Sequence, residues 1–77
     1  MGNNLKSLRE SAGLSQKQLA LLSEIDVRVL QNYEQGVRNL DGAKLITLLK
    51  LCKALNCKIQ DIIPDPIIIA LLNELYP

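Results

Sequence analysis

Helix punctuation recurs at short intervals along this chain and leaves little room for any other secondary structure. Ser15-Gln16-Lys17-Gln18 has the form of a capping box, with serine at the N-cap and glutamine three residues on. Asp26, Asp41 and Asp65 suit further N-caps, Pro66 suits a first helical position, and Gly13, Gly36 and Asn56 suit helix stops. Between these marks the apolar residues fall three and four apart, which is helical spacing. Leu5, Leu8 and Ala12 predict a first helix over 4–12, capped by Asn3 or Asn4. Leu19, Ala20 and Leu22 form the buried side of a second helix ending near Ser23, and a third runs from Asp26 to Gln35. After a loop at Val37–Leu40, a long fourth helix capped by Asp41 turns Leu45, Leu48, Leu49, Cys52 and Leu55 inward, with Lys44, Lys50 and Lys53 outward. Ile59, Ile62 and Ile63 mark a short fifth helix that Pro64 stops. Asp65-Pro66 then opens a sixth, carrying Ile67 to Tyr76. No repeat, linker or low-complexity tract interrupts the series, so the expected class is all-α.

Composition narrows the chemistry. A chain of 77 residues is one small domain that buries roughly 60–65% of its unfolded surface, and with no Trp or Phe its core must be aliphatic. No stretch of 18 residues lacks charge, and no basic-then-apolar leader opens the chain, which predicts a cytoplasmic protein with no membrane partner. Histidine is absent and there are two cysteines, too few for a disulfide framework or a structural zinc. With no nucleophile–base pair and no glycine-rich phosphate loop either, the expectation is a non-enzyme with no metal and no cofactor. Cys52 and Cys57 occupy core-type positions, with no basic neighbour to activate them. The formal charge of +1 does not by itself announce a nucleic-acid partner.

Arrangement does. On a helical wheel, Val29, Leu30 and Tyr33 share an apolar arc, while Arg28, Gln31, Asn32 and Gln35 lie opposite. That outward face is entirely amide or guanidinium. Arg matches the two acceptors of guanine in the major groove, and Asn or Gln matches the acceptor and donor of adenine. A solvated helix face can also lack acids by chance, so the neighbours matter. The second helix, a turn of about three residues and the third helix together make a helix-turn-helix, in which the first member braces the second. The N–H groups opening the second helix, beside Ser15 and Gln16, can hold a phosphate.

Leu14-Ser15-Gln16-Lys17-Gln18-Leu19-Ala20, Ile25-Asp26 and Leu30-Gln31-Asn32-Tyr33-Glu34-Gln35-Gly36-Val37-Arg38, followed by Leu48 to Asn56 and Ile59 to Ile63, carry a resemblance. In order and spacing they resemble the phage repressor and Cro-type (XRE-like) helix-turn-helix family over residues 4–63. The resemblance implies a five-helix DNA-binding domain over 1–63 that reads an operator, usually as a homodimer, to control transcription, and the favoured reading is a small sequence-specific repressor. By position it implies that Gln16 lies near phosphate and base, that Val27, Arg28, Gln31 and Asn32 read bases, and that Arg38 and Asn39 contact the backbone. Lys17 and Gln35 complete the candidate DNA-binding set. It also implies a buried salt bridge between Arg9 and Glu34. Glu24 stands where the family has its turn glycine, so a left-handed residue there costs about 1 kcal/mol. Residues 37–44 run roughly three longer than the usual family spacing, counted from the helix punctuation.

The segment 64–77 lies beyond that pattern. Ile67, Ile68, Ile69, Leu71, Leu72, Leu75 and Tyr76 form a stripe wider than packing on a small core requires. It either covers the open side of the domain or forms part of a homodimer contact; pairing of Ile67–Leu72 as a strand with another chain is a further alternative. A rival function uses the same stripe: a protein-binding module, such as an antitoxin or adaptor, gripping a partner at Ile67–Tyr76.

Overall fold

Four of the helices stop in the same way, and those stops set the architecture. The computed structural model describes residues 3–77, so the first two residues of the expected 1–63 domain lie outside the described residues. Helix α1 spans Leu5–Ser11, α2 Gln16–Ser23, α3 Val27–Gln35, α4 Leu45–Leu55, α5 Ile59–Ile62 and α6 Pro66–Leu75. There is no strand among the described residues. The left-handed residues at the ends of α1 to α4 are Gly13, Glu24, Gly36 and Asn56. In each case the following residue donates its N–H five residues back: Leu14 to Arg9, Ile25 to Ala20, Val37 to Asn32 and Cys57 to Cys52, at 2.9–3.1 Å. This is the Schellman closure, which satisfies the last carbonyls and reverses the chain within one residue. The α2–α3 turn is therefore sharp, although its left-handed residue is a glutamate at φ 56°.

The starts follow the expected caps, with one exception. Ser15 Oγ accepts from Gln18 N–H at 3.1 Å and Gln18 Oε1 from Ser15 N–H at 2.8 Å. Asp26 caps α3 through Arg28 N–H, and Asp65 caps α6 through Ile67 N–H. At α1 the N-cap position is Asn4, but Asn3 Oδ1 takes the Leu5 N–H while the Asn4 amide reaches across to the Asp61 carbonyl. Asp41 does not cap α4. Leu40–Gly42 form a single 3-10 turn, and α4 begins only at Leu45, after Lys44. The reason is Leu40, which is 2% exposed: its side chain anchors the loop in the core and uses the residues that would otherwise start the helix.

Leu5, Leu19, Leu30, Leu40, Leu51 and Ile62 form the centre of an aliphatic core, with Tyr33 and Ile63 at its edge. Two expected faces need correction. Leu22 is exposed beside Leu21, and the buried residue of that turn is Ser23, whose hydroxyl bonds to the Leu19 carbonyl at 2.6 Å. In α4 the buried residues are Leu48, Leu51 and Cys52, whereas Leu45 and Leu49 face solvent. Leucines occupy several sides of α4, so spacing alone cannot phase it. No residue of α6 is buried.

Candidate nucleic-acid interface

Helix α3 is fixed by its apolar side and by one ion pair. Leu30 and Tyr33 are buried, and Val27 and Val29 pack half-buried against the same core. One residue from the helix end, Glu34 points toward α1. Its Oε2 accepts from Arg9 Nε at 2.7 Å and its Oε1 from the second guanidinium nitrogen at 3.0 Å. The remaining Arg9 amine donates to the Leu14 carbonyl at 2.9 Å. The Glu34 side chain is 2% exposed and that of Arg9 11%. The hydrogen bonds to Glu34, outweighing the opposing effect of burial, raise the Arg9 pKa further and keep the guanidinium charged. A forked, fully partnered pair of this kind is strong where a single contact is not, and it locks α1, α3 and the α1–α2 turn together.

Polar contacts continue outward from the pair. Gln16, the first residue of α2, donates its amide to Glu34 Oε1 at 3.2 Å. Its own carbonyl oxygen accepts from the Gln31 amide at 3.2 Å. Gln16 and Gln31 are thus joined at the crossing of α2 and α3, both half-buried. Arg28 and Gln35 are exposed on the same outward side of α3, with Asn32 half-buried between them. Lys17 is exposed at the start of α2, and Arg38 and Asn39 are exposed on the loop leaving α3. That loop is held at its origin, because the Asn32 carbonyl accepts from both Val37 and Arg38 N–H. Val27 differs from the other candidates in giving much of its side chain to the core. Within α3 itself the one carboxylate is Glu34, which is turned inward onto Arg9 and Gln16, while Asp26, exposed just ahead of the helix, caps it through Arg28 N–H.

The bonds from Gln16 to Glu34 and Gln31 span 18 and 15 residues, and sequence spacing carries no signal for either. No group of three or more metal-ligating residues forms among the described residues. Burial and the neighbouring Cys52 push the Cys57 thiol up to about 11, and burial raises Cys52 too, so neither is a ready thiolate. No helix of the described residues is long and apolar enough to cross a membrane.

The helix-turn-helix family model matches residues 5–62, an interval that ends before α6. Among solved structures, the chain is similar to the restriction-modification controller protein C.AhdI from Aeromonas hydrophila. The identity is 38% and the TM-score 0.67, over 75% of this chain and 83% of that one. No curated protein matches the chain significantly.

Proposed function

The chain belongs to the XRE/Cro-type helix-turn-helix family of DNA-binding transcription regulators, which are not enzymes, and from that premise we propose that it reads a specific double-stranded operator by laying α3 in the major groove. The observation that carries the proposal is the outward side of α3, where Arg28, Gln31, Asn32 and Gln35 stand with no exposed acid among them. Arg28, Gln31 and Asn32 meet base edges, with Val27 in reach of a thymine methyl. Gln16, Lys17 and the opening N–H groups of α2 hold one phosphate, and Arg38 and Asn39 hold others. The Arg9–Glu34 pair keeps α3 in register and touches no DNA. Resemblance to a restriction-modification controller supports a regulator of transcription, and the reading favoured is a repressor acting in the cytoplasm.

A net charge of +1 gives one copy few phosphate contacts. We propose that residues 1–63 are the DNA-binding unit and that 64–77 join two copies, each reading a half-site about 10 base pairs from the other. Selection of bound sequences from a random duplex pool tests both statements. A two-fold symmetric winner supports them; no enrichment at low salt, with a stable co-purifying protein instead, favours the protein-binding module. The observation on the side of that second reading is the exposure of Ile67, Leu71, Leu75 and Tyr76 along α6.

A further inference from the structure

The contacts at the α2–α3 crossing have a direction that chemistry imposes. An ionised carboxylate has no hydrogen to give, so Glu34 can only accept. Gln16 must therefore turn its NH2 group toward Glu34 Oε1, as it does at 3.2 Å. This places the carbonyl oxygen of Gln16 at the other end, where only a donor can meet it. Gln31 supplies one, its Nε2 lying 3.2 Å from Gln16 Oε1. The polarity of both amides thus follows from the side chain at the inner end, which is 2% exposed and held from behind by Arg9. A free glutamine rotates its amide to suit either a donor or an acceptor. Gln31 at this crossing does not have that freedom: one of its amide hydrogens is engaged, and its carbonyl oxygen is the end left to meet a partner.

We infer that Glu34 and Gln16 act as positioning residues that set base preference, orienting Gln31 so that it presents its carbonyl oxygen to the major groove and selects a base bearing an exocyclic amino group. The inference rests on the proposed DNA reading and deepens it. Adenine is the best partner, because its N6 amino group meets the oxygen while N7 can take the remaining amide hydrogen of Gln31. Cytosine offers the amino group alone. Guanine places O6 and thymine O4 against the Gln31 oxygen, which leaves two acceptors facing each other. The preference is therefore built behind the contact, by residues that never touch the base.

The test uses the whole chain and three proteins: the native sequence, Gln31→Ala and Gln16→Ala. Each is put through selection from a random duplex pool, then direct binding to duplexes differing at one position. Gln31→Ala identifies the base pair that Gln31 reads. At that pair the native chain is expected to favour adenine over guanine by roughly 5- to 150-fold, the range of one good amide–base contact. Gln16→Ala leaves the Arg9–Glu34 pair in place, so folding persists, and a matching thermal melt checks it. The expected result is that the adenine-to-guanine ratio collapses toward unity at this one pair while preferences elsewhere hold. In the free protein, 15N relaxation of the Gln31 side-chain amide is expected to change from rigid to mobile in the same variant.

A native preference for guanine or thymine at that pair would overturn the assigned polarity. A Gln16→Ala chain that binds all sequences more weakly but keeps its base ratio would show that Gln16 serves phosphate or packing only. An equally mobile Gln31 amide in both proteins would say the same. Failure of the DNA reading itself looks different: the native chain retains no duplex, or Gln31→Ala alters no base preference, and the inference then falls with its premise.

Discussion

Helices α3 and α6 are nearly equal in length, nine and ten residues, and opposite in how the fold uses them. Helix α3 carries few apolar residues and buries Leu30 and Tyr33 among them, with its one acid drawn inward onto Arg9. Helix α6 is far more apolar and buries none, with Ile68, Ile69 and Leu72 only half covered. Apolar content therefore does not decide burial here; the presence of a facing element does. Glu34, the acid on the inner flank of α3, is fully partnered, and the outer flank is left polar, with Arg28 and Gln35 exposed on it. An unpartnered apolar helix is suited to another protein surface, an unpartnered amide helix to nucleic acid.

The sharpest way to break the contrast is at Glu34. Glu34→Ala leaves the Arg9 guanidinium enclosed without its counter-ion, and loss of one member of a buried pair costs about 3–5 kcal/mol. For a domain of ordinary stability, about 5–15 kcal/mol, that is a large part of the whole. The urea midpoint should fall steeply; an unchanged midpoint would show that the pair is ornamental and that α3 is held by its apolar side alone. On the outer flank the same helix should behave differently. Arg28→Ala should leave the melt unaltered, lower operator affinity by about 1–3 kcal/mol and relax preference at a single base pair. Arg38→Ala, by contrast, should weaken every sequence alike and reduce the salt slope by about one. Were Arg28→Ala to leave operator discrimination intact, α3 would not lie in the groove as proposed.

These two regions also differ in how much could be read beforehand. Caps and stops act over four or five residues, so Ser15, Asp26, Asp65, Gly13, Gly36 and Asn56 were legible one by one, as were the helix order and the all-α class. Leu40 was not, because an isolated apolar residue in a loop has no period to betray it. The phase of α4 failed for the opposite reason: leucines on several sides satisfy more than one wheel, and only the positions of α2 and α5 select Leu48, Leu51 and Cys52. In the candidate site, the residue types on the outward side of α3 were legible from the wheel. The contacts that join Gln16 to Glu34 and Gln31 were not, since side-chain bonds across two helices leave no trace in local spacing.

A smaller effect is expected at the turn between α2 and α3. Glu24 is left-handed at φ 56°, as Gly13 and Gly36 are at the equivalent stops. Glu24→Gly removes a steric penalty of about 1 kcal/mol, partly offset by the greater freedom of glycine in the unfolded chain. The midpoint should rise by a fraction of that amount. A fall would mean that the glutamate side chain contributes more than its backbone costs.

The smallest change in stability is expected where the surface is most apolar. Ile67 is 71% exposed, so Ile67→Ser removes almost no contact from a single copy of the chain. At protein concentrations low enough to hold the native chain as single copies, the melt should move by no more than about 0.5 kcal/mol. Mass is where the effect should appear: sedimentation equilibrium of the native chain should rise toward twice 8.6 kDa with concentration, and that of Ile67→Ser should stay at one copy. Because a two-copy reader loses half its contacts when it separates, the variant should also bind a symmetric operator more weakly while keeping its base preferences. A native mass that stays at one copy into the high micromolar range removes the dimer. A large loss of stability at low concentration would place Ile67 against its own domain, and α6 would then differ from α3 only in the depth of its burial.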